Sequence, residues 1–320
     1  MNDPLIEVKD LRKRFTVKSG IRSSSAVDAA DGISFHINAG ETLGLVGESG
    51  CGKTTVGRML MRLYKPDSGQ ILYKGIPLTE AFGEKELCKI GTIVFQDPYS
   101  SLDPRMTVAD SIGEPLDIHR LYRSKAERWD KILSLLSKVG LNAEHALRYP
   151  HEFSGGQRQR IGIARALATS PEFIVCDEPT SALDVSIRAQ IINTFTELRE
   201  NLGLAYLFIS HDLSIVRHIS HRIAVMYLGR IVEIGDSDII CDSPLHPYTA
   251  ALMSAVSIPD PRAAKAKQRI ILPADSHIKK SNAACRFYDR CPYRRDICIT
   301  DTPELREIRS GQRVACHFAG

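Results

Sequence analysis

An α/β fold with an N-terminal antiparallel β layer, an inserted helical subdomain and a small irregular C-terminal extension is predicted by three observations. First, the string GESGCGKTT, Gly47 to Thr55, joins an apolar run, Thr42 to Val46, to an apolar-periodic segment, Val56 to Leu63, which reads as strand, glycine loop and helix. Second, the apolar runs Phe173 to Cys176 and Tyr206 to Ile209 each end in acids or histidine, as strands of a parallel sheet do at a ligand-binding edge. Third, amphipathic helical patterns alternate with these strands. At 320 residues, 43% hydrophobic and 25% charged, the chain has room for one large domain and a smaller appendage. A net charge of +4 from 42 basic and 38 acidic residues is too balanced to imply a nucleic-acid partner. No apolar run approaches the ~18 residues of a membrane span, and the start MNDPLIEVKDLRKRF has no apolar signal core, so a cytoplasmic chain is expected.

In chain order, LIEVKDL and GISFHI read as strands of the β layer, separated by a polar insertion, KSGIRSSSAVDAADG, that reads as an exposed loop. After the glycine loop and its helix, KPDSGQILYKGIPL gives two short strands behind a turn, and IGTIVFQDP a buried strand ending at Gln96. From Ser124, Trp129, Ile132, Leu133, Leu136 and Val139 recur at helical spacing until Gly140, the centre of a helical subdomain placed at about residues 100–160. Strand EFIVCDEP, a helix from Val185 to Leu198, strand AYLFISHD and the strand pair RIAVMYLGRIVEIGD follow. Beyond about Cys241 the sequence turns Pro-rich and irregular, with a Lys/Ala-rich linker from Pro261 to Gln268, which sets a main domain at 1–240 and an extension at 241–320.

The chemistry gathers on phosphate. Glycine-loop amides wrap a phosphate chain, the helix behind adds its positive end, Lys53 reaches the outer phosphates and the Thr54 hydroxyl meets Mg²⁺. Asp177 is suited to hold Mg²⁺ directly or through water, Glu178 to polarise an attacking water, and His211 to contact a γ-phosphate. Ser154-Gly155-Gly156-Gln157, at the head of an apolar-periodic helix, makes a second anion-binding turn. One nucleotide needs only one such loop. A second makes sense if each nucleotide is sandwiched between the loop of one subunit and the Ser-Gly-Gly turn of another.

With these residues in place, the chain resembles the ATP-binding subunit of an ABC transporter, a P-loop NTPase with a RecA-like core. GESGCGKT matches the Walker A loop, IVFQ the Q-loop, SGGQ the signature, FIVCDEP Walker B, SALD (Ser181 to Asp184) the D-loop, and His211 the switch histidine. The resemblance covers about Leu5 to Asp236 and departs at Phe153, where the signature usually carries Leu. It implies an ATPase with catalytic Glu178, His211, Gln96 and Lys53. It implies ATP contacts from Gly47, Glu48, Ser49, Gly50, Cys51, Gly52, Lys53, Thr54, Thr55, Gln96, Ser154, Gly155, Gly156, Gln157, Asp184 and His211, and Mg²⁺ held by Thr54, Gln96 and Asp177. Phe15 lies where the family stacks an aromatic on adenine, with core packing as the alternative. QDPYSSLDPRMTV, SPLHPYTAALMSAV and the cysteine tail narrow the resemblance to importers of oligopeptides, dipeptides and nickel. The implied partners are membrane permease subunits, a second ATPase subunit (a paralogue or another copy) and, indirectly, a solute-binding protein, with the chain peripheral at the cytoplasmic face of the inner membrane and no nucleic acid bound. A non-transport ABC ATPase acting on DNA or ribosomes is the alternative, but the long coiled-coil insertion or paired nucleotide domains usual there do not appear in the sequence. A metal-dependent regulator centred on the cysteine tail lacks a DNA-reading element.

Cys285, Cys291, Cys298 and Cys316 are separated by five, six and seventeen intervening residues in a Pro- and Arg-rich segment. Four thiolates suit a tetrahedral Zn²⁺ or a [4Fe–4S] cluster. The wide gaps without a tight Cys-x₂₋₄-Cys pair favour the cluster, as does the resemblance, with Zn²⁺ and with unligated or disulfide-linked cysteines as alternatives.

Overall fold

β1 (Ile6–Lys18) and β2 (Ser24–Ile37) form a long antiparallel ribbon in the computed structural model, which describes residues 4–18, 24–78, 82–97, 99–256, 269–273 and 283–319. Val8, Leu11, Ile33 and Phe35 bury one face of the ribbon. The polar stretch expected to be a loop is therefore largely strand. Its acids find cross-strand cations: Asp28 meets Arg14 at 2.5 Å and Asp31 meets Arg12 at 2.5 Å, both directly opposed in the register. Opposite charges facing across a ladder stabilise it, and composition alone does not show which residues will face. Residues 19–23 of that expected loop, and the linker expected at Pro261 to Gln268, lie outside the described residues.

The fully buried β3 (Thr42–Val46) leads from this layer into the core, after which β4 (Ser68–Tyr73) and β5 (Ile76–Pro77) return to complete a four-stranded sheet, β2-β1-β4-β5. β6 (Gly91–Val94), β7 (Phe173–Asp177), β8 (Ala205–Ile209) and β9 (Arg222–Tyr227) run parallel with β3 in the order β9-β3-β8-β7-β6. β7 up to Cys176 and the whole of β8 are apolar, and both strands are buried on both faces, as strands covered by helices must be. Parallel alignment brings all five carboxyl ends to one edge. The carriers of the expected chemistry, Gly47 to Thr54, Gln96, Asp177 to Glu178 and His211, follow four of those ends.

Helices close both faces: α1 (Lys53–Leu60), α2 (Glu84–Ile90), α3 (Val108–His119), α4 (Lys125–Lys138), α5 (Gly155–Leu167), α6 (Val185–Leu202) and α7 (Leu213–Ile219). The helical subdomain consists of α3 and α4 packed on α5. Ile112, Ile132, Leu136, Val139 and Ile161 are all fully buried there, each contributing about 1.5–3 kcal/mol by leaving water. Ser124 caps α4 by accepting from the Glu127 amide at 3.2 Å, and Gly140 ends it at φ 70°, a left-handed conformation that glycine adopts without strain. Trp129, counted by its spacing among the apolar positions, is instead 36% exposed at the margin of the face.

The C-terminal extension departs from the irregular appendage expected. β10 (Arg230–Asp236) pairs antiparallel with β9, and after α8 (Ser237–Asp242), α9 (Pro247–Ser254) and α10 (Ile297–Thr300) the chain returns as a hairpin, β11 (Arg306–Arg309) and β12 (Gln312–Val314). β12 pairs with β10, so the tail extends the main sheet to eight strands. An uncovered β10 would leave a row of unpaired backbone groups. The fully buried Glu233 of β10 fixes the arrangement: its carboxylate accepts from the Leu245 and His246 amides, both at 2.9 Å, and from Gln312 Nε2 at 2.7 Å. Three donors offset the cost of burying that charge and tie strand, helix and tail together. Among the described residues no helix is long and apolar enough to cross a membrane.

Candidate active site

The glycine loop leaves β3 under tight steric control. A Cβ on Gly52 (φ 109°) would sit 1.9 Å from the Ala29 carbonyl oxygen, so only glycine permits this approach to β2. At Gly50 (φ 80°) nothing lies within 4 Å of that position, which leaves the loop open on the side a ligand would occupy. Lys53, 5% exposed at the start of α1, donates to the Gly47 carbonyl at 2.8 Å and the Glu48 carbonyl at 3.0 Å. A buried ammonium held by carbonyls at a helix N-terminus suits a phosphate anion. Cys51 is packed beneath, its carbonyl accepting from the Gly229 amide at 2.9 Å and its thiol pushed up by burial. Ser49 is exposed, and Thr55 is half-buried in the first turn of α1.

At the end of β7, Asp177 is 3% exposed and accepts a hydrogen bond from Thr54 Oγ1 at 2.8 Å. Burial pushes its carboxyl up, against the lowering effect of Thr54 and of Arg58 and Lys53. A carboxylate and a hydroxyl side by side are the hard oxygen donors that Mg²⁺ takes, and they lie beside the loop that would hold its phosphates, so the residues fit Mg²⁺ with a nucleotide triphosphate. Glu178 comes next with φ 48°, a conformation uncommon outside glycine and found where a site demands it. Its amide donates to the Ile209 carbonyl at 3.0 Å, which fixes the turn against β8. Its Oε2 lies 3.0 Å from His211 Nδ1 and accepts from Gln96 Nε2 at 3.4 Å. Residues from three strand ends thus meet at one carboxylate oxygen. Gln96, expected at the end of its strand, lies two residues beyond it, exposed, with its amide turned to Glu178.

The Ser-Gly-Gly turn opens α5. Ser154 is exposed and closes a reciprocal cap on α5: its Oγ accepts from the Gln157 amide at 3.3 Å, and its own amide donates to Gln157 Oε1 at 3.0 Å. Gly156 is needed for packing as well, because a Cβ there would come within 2.3 Å of Ile187 on α6. Asp184 precedes α6 without capping it through its side chain. Phe15 is half-buried and meets Tyr64 edge-on at 5.5 Å. None of the hydrogen bonds found at these three places reaches Lys53, Asp177 or Glu178.

Sequence reasoning missed two residues that hold the loop from outside. The Tyr248 hydroxyl accepts from the Glu48 amide at 2.9 Å, and Arg290 grips the Glu48 carboxylate. Both stretches had been singled out, SPLHPYTAALMSAV and the cysteine tail, but no local spacing links them to a loop some 200 residues earlier.

The [4Fe–4S] cluster or Zn²⁺ expected at Cys285, Cys291, Cys298 and Cys316 finds no support. Among the described residues no group of three or more His, Cys, Asp or Glu is arranged to hold a metal ion. Burial first, and then the charge of Cys298, Cys291 and Cys316, push the Cys285 thiol up to about 11, and burial raises Cys291 likewise.

Comparison with known proteins agrees with this geometry. Residues 30–181 match the family described as ABC transporter, and residues 232–298 the oligopeptide/dipeptide transporter C-terminal region. Among the curated relatives, the oligopeptide transport ATP-binding protein AppF of Bacillus subtilis is 49% identical over 99% of this chain and 98% of its own length. The di/tripeptide transport ATP-binding protein DppF of Pseudomonas aeruginosa is 44% identical over 99% of this chain and 98% of its own length. Among solved structures, the ATP-binding cassette MJ0796, a dimer in a post-hydrolysis state bound to ADP and Pi, superposes with a TM-score of 0.63 at 30% identity, covering 72% of this chain and 98% of that one.

Proposed function

The chain belongs to the ATP-binding subunits of ABC transporters, and from that premise we propose that it energises a membrane importer of oligopeptides, dipeptides or a related solute such as nickel. The observation that carries the reading is the meeting of Glu178, His211 and Gln96 beside the paired Thr54 and Asp177. In this reading the loop from Gly47 to Thr55 wraps the triphosphate, and Lys53 exchanges its carbonyl partners for phosphate oxygens. Thr54, Asp177 and Gln96 would hold Mg²⁺, which would supply positive charge against the negative charge developing on the transferred phosphoryl group. Glu178 accepts the proton of the attacking water, and His211 and Gln96 hold the carboxylate in line with it. Phe15 stacks on the adenine.

Ser154, Gly155, Gly156 and Gln157, with Asp184, serve the nucleotide of the opposite subunit, either a second copy or a paralogue. That no described hydrogen bond joins them to this chain's own loop supports that assignment, as does the dimeric state of the structural relative. ATP binding closes the pair and hydrolysis reopens it, and a permease docked beside the Q-loop and helical subdomain alternates its access accordingly. In this scheme residues 1–240 are the nucleotide-binding domain, 241–320 are an extension of the importer type, and the chain sits at the cytoplasmic face of the inner membrane. Affinity capture of the tagged chain from detergent-solubilised membranes tests the proposal. Stoichiometric polytopic permease chains are expected, and capture of DNA or ribosomes in their place would overturn it.

A further inference from the structure

Three parts of the chain converge on Glu48, the second residue of the glycine loop. Its amide donates to the Tyr248 hydroxyl at 2.9 Å, and its carbonyl accepts from Lys53 at 3.0 Å. Its carboxylate takes two parallel bonds from Arg290, Nη1 to Oε2 at 2.8 Å and Nη2 to Oε1 at 3.0 Å. The Arg290 side chain is 12% exposed and that of Glu48 34%, so the pair is partly shielded from solvent. It also stands on a rigid base. Tyr227, Tyr248 and Phe287 touch one another at ring separations of 4.7, 5.2 and 5.6 Å, and Phe287 is 2% exposed. Arg286, four residues before Arg290, donates to the Leu228 carbonyl beside the loop and pairs with Asp31 at 2.5 Å.

A carboxylate in an anion-binding loop works against its own ligand, because it repels a triphosphate unless its charge is cancelled. A guanidinium bonded to both oxygens cancels it and fixes its direction. We propose that Arg290 is a positioning residue for ATP, so that the C-terminal extension sets how tightly the glycine loop holds the triphosphate. The proposal rests on the reading of this loop as an ATP site. The described bonds of Arg290 run to Glu48 and to the Pro273 carbonyl, so its effect falls on nucleotide affinity and leaves the chemical step alone. Displacing the extension then lowers ATP affinity through Glu48.

Equilibrium binding of Mg-ATP to the full chain tests this. Arg290→Ala is expected to weaken binding by about tenfold, the scale of one lost charged hydrogen-bonded contact. The loss appears in KM, with kcat at saturating ATP changed by less than about twofold. Adding Glu48→Gln to Arg290→Ala is expected to recover most of the affinity, because the uncompensated charge is gone; a purely structural role for Arg290 predicts no such rescue. Should Arg290→Ala fail to fold, Arg290→Lys supplies the same comparison, a smaller loss relieved by Glu48→Gln. An unchanged affinity in the Arg290 variants, or a loss that Glu48→Gln leaves in place, would overturn the proposal. A wild-type chain that does not bind Mg-ATP at all would instead overturn the reading of the loop.

Discussion

Glu178→Gln isolates the chemical step. The amide keeps the shape of the carboxylate and its place between His211 Nδ1 at 3.0 Å and Gln96 Nε2 at 3.4 Å. Glutamate and glutamine carry the same backbone cost at φ 48°, so the turn after β7 is preserved, which a β-branched replacement would not achieve. What disappears is the group that takes the proton from water. A positioned general base contributes about 10²–10⁴ in rate, or roughly 3–5 kcal/mol of barrier at about 1.4 kcal/mol per decade. Binding should be spared, because Lys53, Thr54 and Asp177 make their contacts independently of Glu178. Phosphate release by the purified chain at saturating Mg-ATP, measured beside equilibrium nucleotide binding, therefore separates the two effects. Turnover at least about 100-fold lower with undiminished affinity is expected. Turnover within about threefold of wild type would remove Glu178 from the catalytic role.

Lys53→Ala should act oppositely, weakening binding and turnover together because the buried ammonium serves the bound ground state as well; unchanged affinity for labelled ATP would contradict its role. Ser154→Arg should leave nucleotide binding by the single chain intact but block ATP-driven association, since Ser154 is exposed and its described side-chain bond lies within its own cap; normal association in light scattering would remove the two-subunit site. Stability should fall in acid through His246, which is buried and whose imidazole accepts from the Tyr248 amide at 3.1 Å. Burial lowers it from 6.5 to about 3, so the unfolded chain binds the extra proton first. Its contribution is complete above about pH 6.5 and lost as pH falls towards 3, about 2 kcal/mol being gone at pH 5. His246→Asn should cost stability at neutral pH yet flatten this slope in urea titrations, and an unchanged slope would contradict the assignment.

The glycine loop, the Ser154 cap and the acids after β7 were legible because each is local: a few consecutive residues dictate a turn, a cap or a strand end. The core strands were legible too, since a buried parallel strand is a short apolar run and little else. Reading failed where pairing is non-local. Asp28 and Asp31 look like loop residues until Arg14 and Arg12 are seen opposite them. β12 looks like an irregular tail until Gln312 is seen to reach Glu233, 79 residues away. Arg290 looks like part of a basic cysteine segment until Glu48, 242 residues earlier, is found in its grip. Cysteine spacing likewise counts possible ligands without fixing their arrangement, and among the described residues no group is arranged to hold a metal at Cys285, Cys291, Cys298 and Cys316.

Reconstitution tests the central claim most directly. With the captured membrane complex in liposomes, ATP supplied on the side of this chain and a labelled peptide pool on the other, uptake should require Mg-ATP and fall at least about tenfold with Glu178→Gln, in proportion to lost turnover. Uptake at the wild-type level in that variant, or ATP hydrolysis that continues unchanged while uptake is absent in both, would contradict an account in which hydrolysis at this site drives the permease.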